Sequence, residues 1–364
     1  MAITRINIGP VHPSTHGVIR LVADIDGDTV VNLEPHIGFL HRGVEKLVET
    51  RMYMQSPPYM EKLDYVAPMS YDEAYVAAVE KAMGVEVKER AMWVRTILLE
   101  LQRIASHLLW LGTMANDVGQ FFTVFMWCFK DRDLILRLLE EASGARMFYV
   151  NMRIGGLIRD LPPGFDDRAR ETLNYMEKRI GEYEDFLEKN PIFIERMRGV
   201  GVMNRDKAIE LGVTGPVLRG SGVSYDVRKD NPYYVYDKLN FEPQARSEGD
   251  CFARYKVRML EMRESIKLVK DALSKMPGGD ALGMQVRLIL PSAKNREVTL
   301  SREMPRGECM MYMVADPQKP YRLSIRSPSF INLAALNEIA KGCRTADIFA
   351  IMGSLDLVMG DADR

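Results

Sequence analysis

The sequence predicts an α+β protein: a long-helix bundle carrying a small sheet built from the N- and C-terminal segments. Three observations predict it. Residues 3–8 and 18–35 are short β-branched runs divided by Gly and Pro. From Ser70 to residue 275, apolar residues recur at three- and four-residue spacing over stretches too long for strands. Residues 284–300 and 307–326 then return to strand-like patterning. A chain of 364 residues, 47% of them hydrophobic, can fill one large core. No repeat or low-complexity linker divides it. Residues 1–364 are therefore expected as one domain in three parts: strands and a loop (1–69), a helical core (70–280), and closing strands and helices (281–364).

Taken in order, ITRINI (3–8) and residues 18–35 read as strands, the second folding back at Asp26-Gly27, a favoured hairpin dipeptide. Between them GPVHPSTHG makes a loop, with Gly and Pro at its entrance and Gly at its exit. Residues 71–84 and 89–115 read as helices, the latter interrupted by Arg95, Glu100 and Arg103. The next helix covers 120–143 and stops at Gly144. A more polar outer helix follows at 166–189, then an irregular stretch over 191–240 that is rich in Gly, Pro and Asp. Residues 244–275 form another long helix, stopped by Pro277-Gly278-Gly279. Short helices are expected near 331–341 and 345–357.

Composition excludes several classes of function. Lys and Arg (49) nearly balance Asp and Glu (50), so no global field points to nucleic acid. No window supplies the roughly 20 apolar residues of a membrane span. The best one, Val118 to Phe129, runs into Lys130-Asp131-Arg132-Asp133 and reads as a buried helix. The N-terminus lacks the pattern of a signal or transit peptide. The four cysteines stand far apart without a CxxC pair, so neither a zinc ribbon nor an iron–sulfur site is encoded, and unpaired thiols suit a reducing compartment. The 24 methionines read as adaptable core packing.

Three constellations carry candidate chemistry. In His12-Pro-Ser-Thr-His16-Gly17, two imidazoles on a loop form either a proton relay or caps for nearby backbone. In Tyr59-Met-Glu-Lys-Leu-Asp-Tyr65, a phenol can donate to a carbonyl or simply pack. Asp117, after Asn116, is either a helix cap or a partner for an imidazole. A metal site is not expected, because no Cys lies near the histidines and their spacing fits no zinc pattern. Gly199-Val-Gly201 and Gly220-Ser-Gly222 lack the third glycine and the strand–helix setting of a dinucleotide fingerprint.

The segments GPVHPSTHGVIRL, PHIGFLHRGVEKL, EKLDYVAP, LLELQRIASHLLWLG, RIGG, VSYDVRK, GDCFARYKVRMLEMRES and GSLDLVMGDADR occur in one order along nearly the whole chain. Together they resemble the 49 kDa, or D-type, component of complex I, a family related to the large subunit of nickel–iron hydrogenases. The resemblance implies a hydrogenase-large-subunit-like fold. The stretches matching the hydrogenase CxxC pairs, Leu63 to Ala67 and Asp356 to Asp361, hold no cysteine. Without soft thiolate ligands, nickel and hydrogenase activity are not expected.

In this family the vacated cavity ends a quinone tunnel. The resemblance implies His16 and Tyr65 as catalytic donors with Asp117 paired to the histidine, and His12, Met69 and Val358 around the quinone. It also places Lys62, Tyr149 and Arg153 near a [4Fe-4S] cluster held by an adjoining protein of the complex. No cofactor is expected on this chain itself. Implied partners are a cluster-bearing B-like protein, C-like and I-like proteins, and an H-like protein in the membrane. The chain itself is expected to be peripheral, on the cytoplasmic face of the membrane. Many relatives have Arg where Lys62 stands and a His where Tyr149 stands. Loss of that positive charge predicts a lower cluster potential, suited to menaquinone or methanophenazine, and compactness resembles the archaeal F420H2 dehydrogenase branch. The alternative is a non-catalytic adaptor between the cluster-bearing and membrane components, which has no use for His12, His16, Tyr65 and Asp117.

Overall fold

A computed structural model describes residues 3–119, 121–284 and 295–364. Its centre is a set of long helices. They are α1 (Pro68–Met83), α2 (Glu89–Gly119), α3 (Phe122–Ser143), α4 (Phe165–Glu188) and α5 (Cys251–Lys275). Helix α2 runs through the middle and packs on α3 and α5. Pro68 opens α1, where its missing N–H costs nothing, and Gly84 closes it at φ +65°. Asp250 caps α5 by accepting from the amide of Ala253 at 2.7 Å, so this helix starts at Cys251 and not at 244.

The α+β class is confirmed, and the two chain ends build separate sheets. Strands β1 (Thr4–Ile8), β2 (Arg20–Asp26) and β3 (Thr29–His36) form one antiparallel sheet. Strands β4 (Glu297–Met304), β5 (Gly307–Ala315) and β6 (Pro320–Arg326) form another, so the expected 307–326 strand is a hairpin. A two-stranded ribbon, Met152–Arg153 with Gly156–Leu157, is the third. An isolated bridge, Thr29 to Arg344, and a hydrogen bond from the Leu33 amide to Asn337 Oδ1 at 2.9 Å connect the N-terminal sheet to the C-terminal part. The first hairpin turns at Gly27-Asp28, closed by the Asp26–Thr29 pair, one residue later than the sequence suggested. Gly27 takes φ +65°, the left-handed value that primed turns require. Of the strand expected over 284–300, residues 285–294 lie outside the described residues.

The stretch 191–240 is more ordered than its composition suggested. It contains short helices Pro191–Met197, Arg205–Glu210, Gly215–Arg219 and Val227–Asp230. Asn190, Asn204 and Asp226 cap three of them through side-chain oxygens. Near the C-terminus the helices are Pro328–Leu333, Leu336–Ala340, α6 (Asp347–Leu355) and α7 (Met359–Asp363). One contiguous apolar core runs from Ile19 to Ala362.

The charges that interrupted the periodicity of α2 are buried. Arg95, Glu100, Arg103 and His107 are all at most 1% exposed. Glu100 accepts from Arg228 at 3.1 Å, Tyr236 at 2.6 Å and Ser265 at 2.6 Å. Glu261 accepts from Arg219 at 2.7 Å and lies 3.0 Å from His107 Nε2. Arg219 also donates to Glu303 at 2.9 Å, and Arg228 to Asp226 at 2.6 Å. The short helices of 191–240 supply Arg219, Asp226 and Arg228, so this cluster ties them to α2, α5 and β4.

Burial raises the Glu100 carboxyl, but Arg103 and Arg228 outweigh it and pull its pKa down to about 2. Burial drives His107 the other way, from 6.5 to about 4, against the pull of Glu261. Because the unfolded chain takes up the histidine proton first, stability is expected to fall as pH drops from 6.5 towards about 4. Replacing His107 by Gln should flatten that part of a stability–pH curve. Replacing Arg228 by Met leaves Asp226 buried without its main cation and Glu100 with Arg103 alone. Denaturant unfolding of that variant should show a loss of about 3–5 kcal/mol. The exposed Arg5–Asp24 pair is the control, and Arg5→Met should unfold with the wild type.

Candidate functional site

Five chain segments far apart in sequence meet at one cavity of 210 Å³, lined by Pro13, His16, Tyr65, Val66, Leu109, Thr113, Arg306, Asp356, Leu357 and Val358. The His16 loop is a single 3-10 turn, Pro13–Thr15. Thr15 Oγ1 lies 2.8 Å from the carbonyl of His12 and 2.7 Å from that of Gly17, bracing the loop from inside. His16 itself takes the left-handed conformation at φ 52°. Its Nε2 contacts Asp117 Oδ2, from the last turn of α2, with 18% and 4% of the two side chains exposed. Asp117 is thus an imidazole partner, and α2 continues past it to Gly119.

Tyr65 stands on the turn that leads into α1. Asp64 holds this turn: its Oδ1 accepts from the amides of Val66 and Ala67, both at 3.1 Å, and its Oδ2 accepts from Arg306 Nη1 at 2.7 Å. Arg306 comes from the two-residue turn between β4 and β5, yet is only 1% exposed. Its other nitrogen, Nη2, reaches Asp356 Oδ1 at 3.5 Å. The guanidinium therefore bridges the stretch Leu63 to Ala67 and the stretch Asp356 to Asp361. A hydrogen bond from Tyr71 to Asp361 ties helix α1 to the same C-terminal stretch. Among the described residues no group of three or more His, Cys, Asp or Glu is arranged to hold a metal ion.

The Tyr65 ring is 42% exposed. Partial burial pushes its hydroxyl above the usual value of 10, the Asp64 carboxylate raises it further, and Arg306 opposes both. The phenol therefore stays protonated at neutral pH and acts as a hydrogen-bond donor. Gly360 sits against it: a Cβ there would lie 2.7 Å from the carbonyl of Leu63 and 3.3 Å from Tyr65 Cε1.

Of the other residues singled out in the sequence, Val358 lines the cavity. His12 does not. Its Nδ1 accepts from the amide of Ser14 at 3.2 Å, and its ring stacks on Phe349 of α6 at 4.9 Å. Met69 is fully buried and is not among the lining residues; its amide donates to Gln102 at 2.8 Å. Lys62, Tyr149 and Arg153 gather on one flank. Lys62 Nζ bonds Glu61 at 2.7 Å and lies over the Phe148 ring at 4.8 Å. Tyr149 is buried and donates to the carbonyl of Val66 at 3.4 Å. Arg153 and Glu61 line a separate crevice of 280 Å³ with Tyr53, Pro57 and Tyr75.

Sequence reasoning missed Arg306, Asp64, Thr113 and Asp356 as wall or support residues. Asp64 and Asp356 were signalled only by position inside the long segments EKLDYVAP and GSLDLVMGDADR, Arg306 only by the turn Met304-Pro-Arg-Gly307, and Thr113 by no feature of the sequence. One variant tests the packing of the site: Gly360→Ala must displace either the Leu63 backbone or the Tyr65 ring. Catalysis that depends on Tyr65 should then fall by about tenfold or more while the chain still folds, since misplacement of about 1 Å is costly. Turnover of the assembled complex, read beside its subunit content, checks this.

The family described as respiratory-chain NADH dehydrogenase, 49 Kd subunit, matches residues 117–302 and 291–364. The D-type subunit of the NADH-quinone oxidoreductase from Geotalea uraniireducens is 44% identical, over 100% of this chain and 99% of the relative. The protein of the same name from Geobacter sulfurreducens is 43% identical, again over 100% and 99%. That from Dehalococcoides mccartyi strain 195 is 44% identical, over 99% of this chain and 98% of the relative. Matched along its whole length at this identity, the chain belongs to the family of the respiratory-chain NADH dehydrogenase 49 Kd subunit.

Proposed function

We propose that this chain forms the headgroup site at which a multisubunit respiratory oxidoreductase reduces a quinone-type carrier. The observation that carries the reading is that Tyr65 and a His16–Asp117 pair share one cavity. Reducing a quinone to its quinol adds two electrons and two protons, so a competent site needs proton donors where oxyanion charge develops. The Tyr65 hydroxyl donates to one carrier oxygen. His16 gives a second donor, and Asp117 fixes the ring and stabilises positive charge on it. Leu109, Val66, Leu357 and Val358 give the wall an apolar surface for a flat ring. Electrons come from a one-electron carrier of an adjoining protein, in keeping with relatives named as parts of a NADH-quinone oxidoreductase.

The flank formed by Lys62, Tyr149 and Arg153 is proposed to face that electron-donating protein. Glu61, bonded to Lys62, offsets its charge there. Tyr149 is pushed well above 10 by burial and adds no charge. Both features support a low-potential donor and a carrier such as menaquinone or methanophenazine. The partners are the B-like, C-like, I-like and H-like proteins of such a complex, and the location is peripheral, on the cytoplasmic side of the membrane. No described helix is long and apolar enough to cross a membrane.

The test is Tyr65→Phe in the assembled complex, which keeps the ring and removes the hydroxyl. Reduction of a water-soluble quinone should fall by about 10²-fold or more with the iron–sulfur signals intact. Unchanged turnover would leave the adaptor role as the better account of the chain.

A further inference from the structure

The cavity wall contains one further ionisable group. Asp356 follows α6 in the left-handed conformation, at φ 56°, and is 6% exposed. It lines the cavity with Tyr65 and His16. Its carboxyl group is only loosely paired. Arg306 Nη2 is 3.5 Å from Oδ1, and Arg258 Nε of α5 is 3.8 Å from Oδ2. A committed carboxylate–guanidinium pair closes to about 2.7–2.9 Å, as Arg306 and Asp64 do at 2.7 Å.

Both arginines spend terminal nitrogens elsewhere, and Arg258 Nε faces Asp356 without closing to hydrogen-bond distance. Arg306 also donates to Ser106 at 3.2 Å. Arg258 donates to the carbonyls of Arg254 at 3.1 Å, Ser354 at 2.9 Å and Leu355 at 3.3 Å, and lies over the Trp110 ring at 4.5 Å. Asp356 Oδ2 is left buried with no hydrogen-bond partner. Buried polar atoms are rarely left so, and each one calls for an explanation.

We propose that Asp356 is a proton-holding group of the carrier site and delivers one of the two protons consumed when the carrier is reduced. The proposal rests on the carrier reading of the cavity. The surrounding charges are consistent with it. Burial raises the Asp356 carboxyl above its ordinary range and Asp64 raises it further, while Arg306, Arg258 and His16 lower it. The acid form therefore persists to higher pH than for an exposed aspartate.

The step balances. Two electrons arrive from the one-electron carrier of the adjoining protein. One carrier oxygen gains a proton from Tyr65 or His16, and the other gains the Asp356 proton. Two O–H bonds form on the carrier, while the Asp356 O–H bond and the Tyr65 O–H or His16 N–H bond break, and water reprotonates both donors. The resulting carboxylate faces two guanidiniums already within 4 Å, which stabilise it until water returns the proton. A fully ionised, tightly paired aspartate could not serve in this way. The loose geometry is what the role requires.

The test uses the assembled complex with Asp356→Asn, Asp356→Glu and Tyr65→Phe side by side. Asn adopts the left-handed conformation readily, so the backbone after α6 should be preserved. Reduction of a water-soluble quinone is followed against pH. Asp356→Asn should lower kcat by about tenfold or more, with KM changed by less than about twofold and the alkaline fall of the profile abolished. Asp356→Glu, which restores a titratable carboxyl, should recover part of the rate with a displaced alkaline limb.

Wild-type kcat and pH profile in Asp356→Asn, with Tyr65→Phe slow, would overturn this proposal and leave the carrier site standing. Equal losses in Asn and Glu with an unchanged profile would assign Asp356 a structural role and also overturn it. Wild-type rates in all three variants would remove the carrier reading itself. If Asn blocks assembly, infrared difference spectra of the wild-type complex decide. Carrier reduction should bleach the C=O stretch of a protonated carboxylic acid, and absence of that band change would overturn the proposal.

Discussion

The site depends on one guanidinium. Arg306 links Asp64, which holds the turn bearing Tyr65, to Asp356, which opens the C-terminal wall of the cavity. Those carboxylates are nearly the whole chain apart in sequence, and neither segment could stay in place by local structure alone. Buried pairs of this kind add little net stability over apolar packing, but losing one partner leaves an uncompensated charge. Arg306 therefore acts mainly as a positional constraint. It holds the Asp64 turn at 2.7 Å and faces Asp356 more loosely at 3.5 Å, and the cavity is the space between the two stretches.

Behind that bridge, a larger buried cluster holds the scaffold that carries it. Glu100, Arg219, Arg228, Glu261 and Glu303 join α2, α5, β4 and the short helices of 191–240. The edge of this cluster touches the site through β4, because Glu303 sits three residues before Arg306 on the same hairpin. Helix α2 serves both structures: Glu100 and His107 lie in the cluster, Leu109 and Thr113 in the cavity wall, and Asp117 holds His16. A long helix is a suitable ruler for this purpose, since its rise per residue fixes the spacing of all of them.

The long helices were legible in the sequence because each carries many turns of apolar periodicity, and two of their C-terminal ends were marked by Gly144 and by Pro277-Gly278-Gly279. The proposed donor trio of His16, Tyr65 and Asp117 was singled out as one site only through resemblance; spacing alone left each of them with an ordinary structural reading. Residues 191–240 looked irregular because their helices are too short to show a period, although the caps Asn190, Asn204 and Asp226 were present. Arg306 was hidden by its setting, since a charged residue in a two-residue hairpin turn is normally solvated. Its burial is set by tertiary partners that no local pattern encodes. The N- and C-terminal strands were found, but their partition into separate sheets depends on long-range pairing for the same reason.

The most direct test of a carrier site between these two stretches is to map where the carrier sits. A photoreactive quinone analogue can be cross-linked to the assembled complex during turnover and the labelled peptides identified. Label is expected on the peptides spanning 62–66 and 356–360, suppressed by excess unlabelled carrier. Label confined to other proteins of the complex, with none on these two stretches, would contradict a carrier site in this chain.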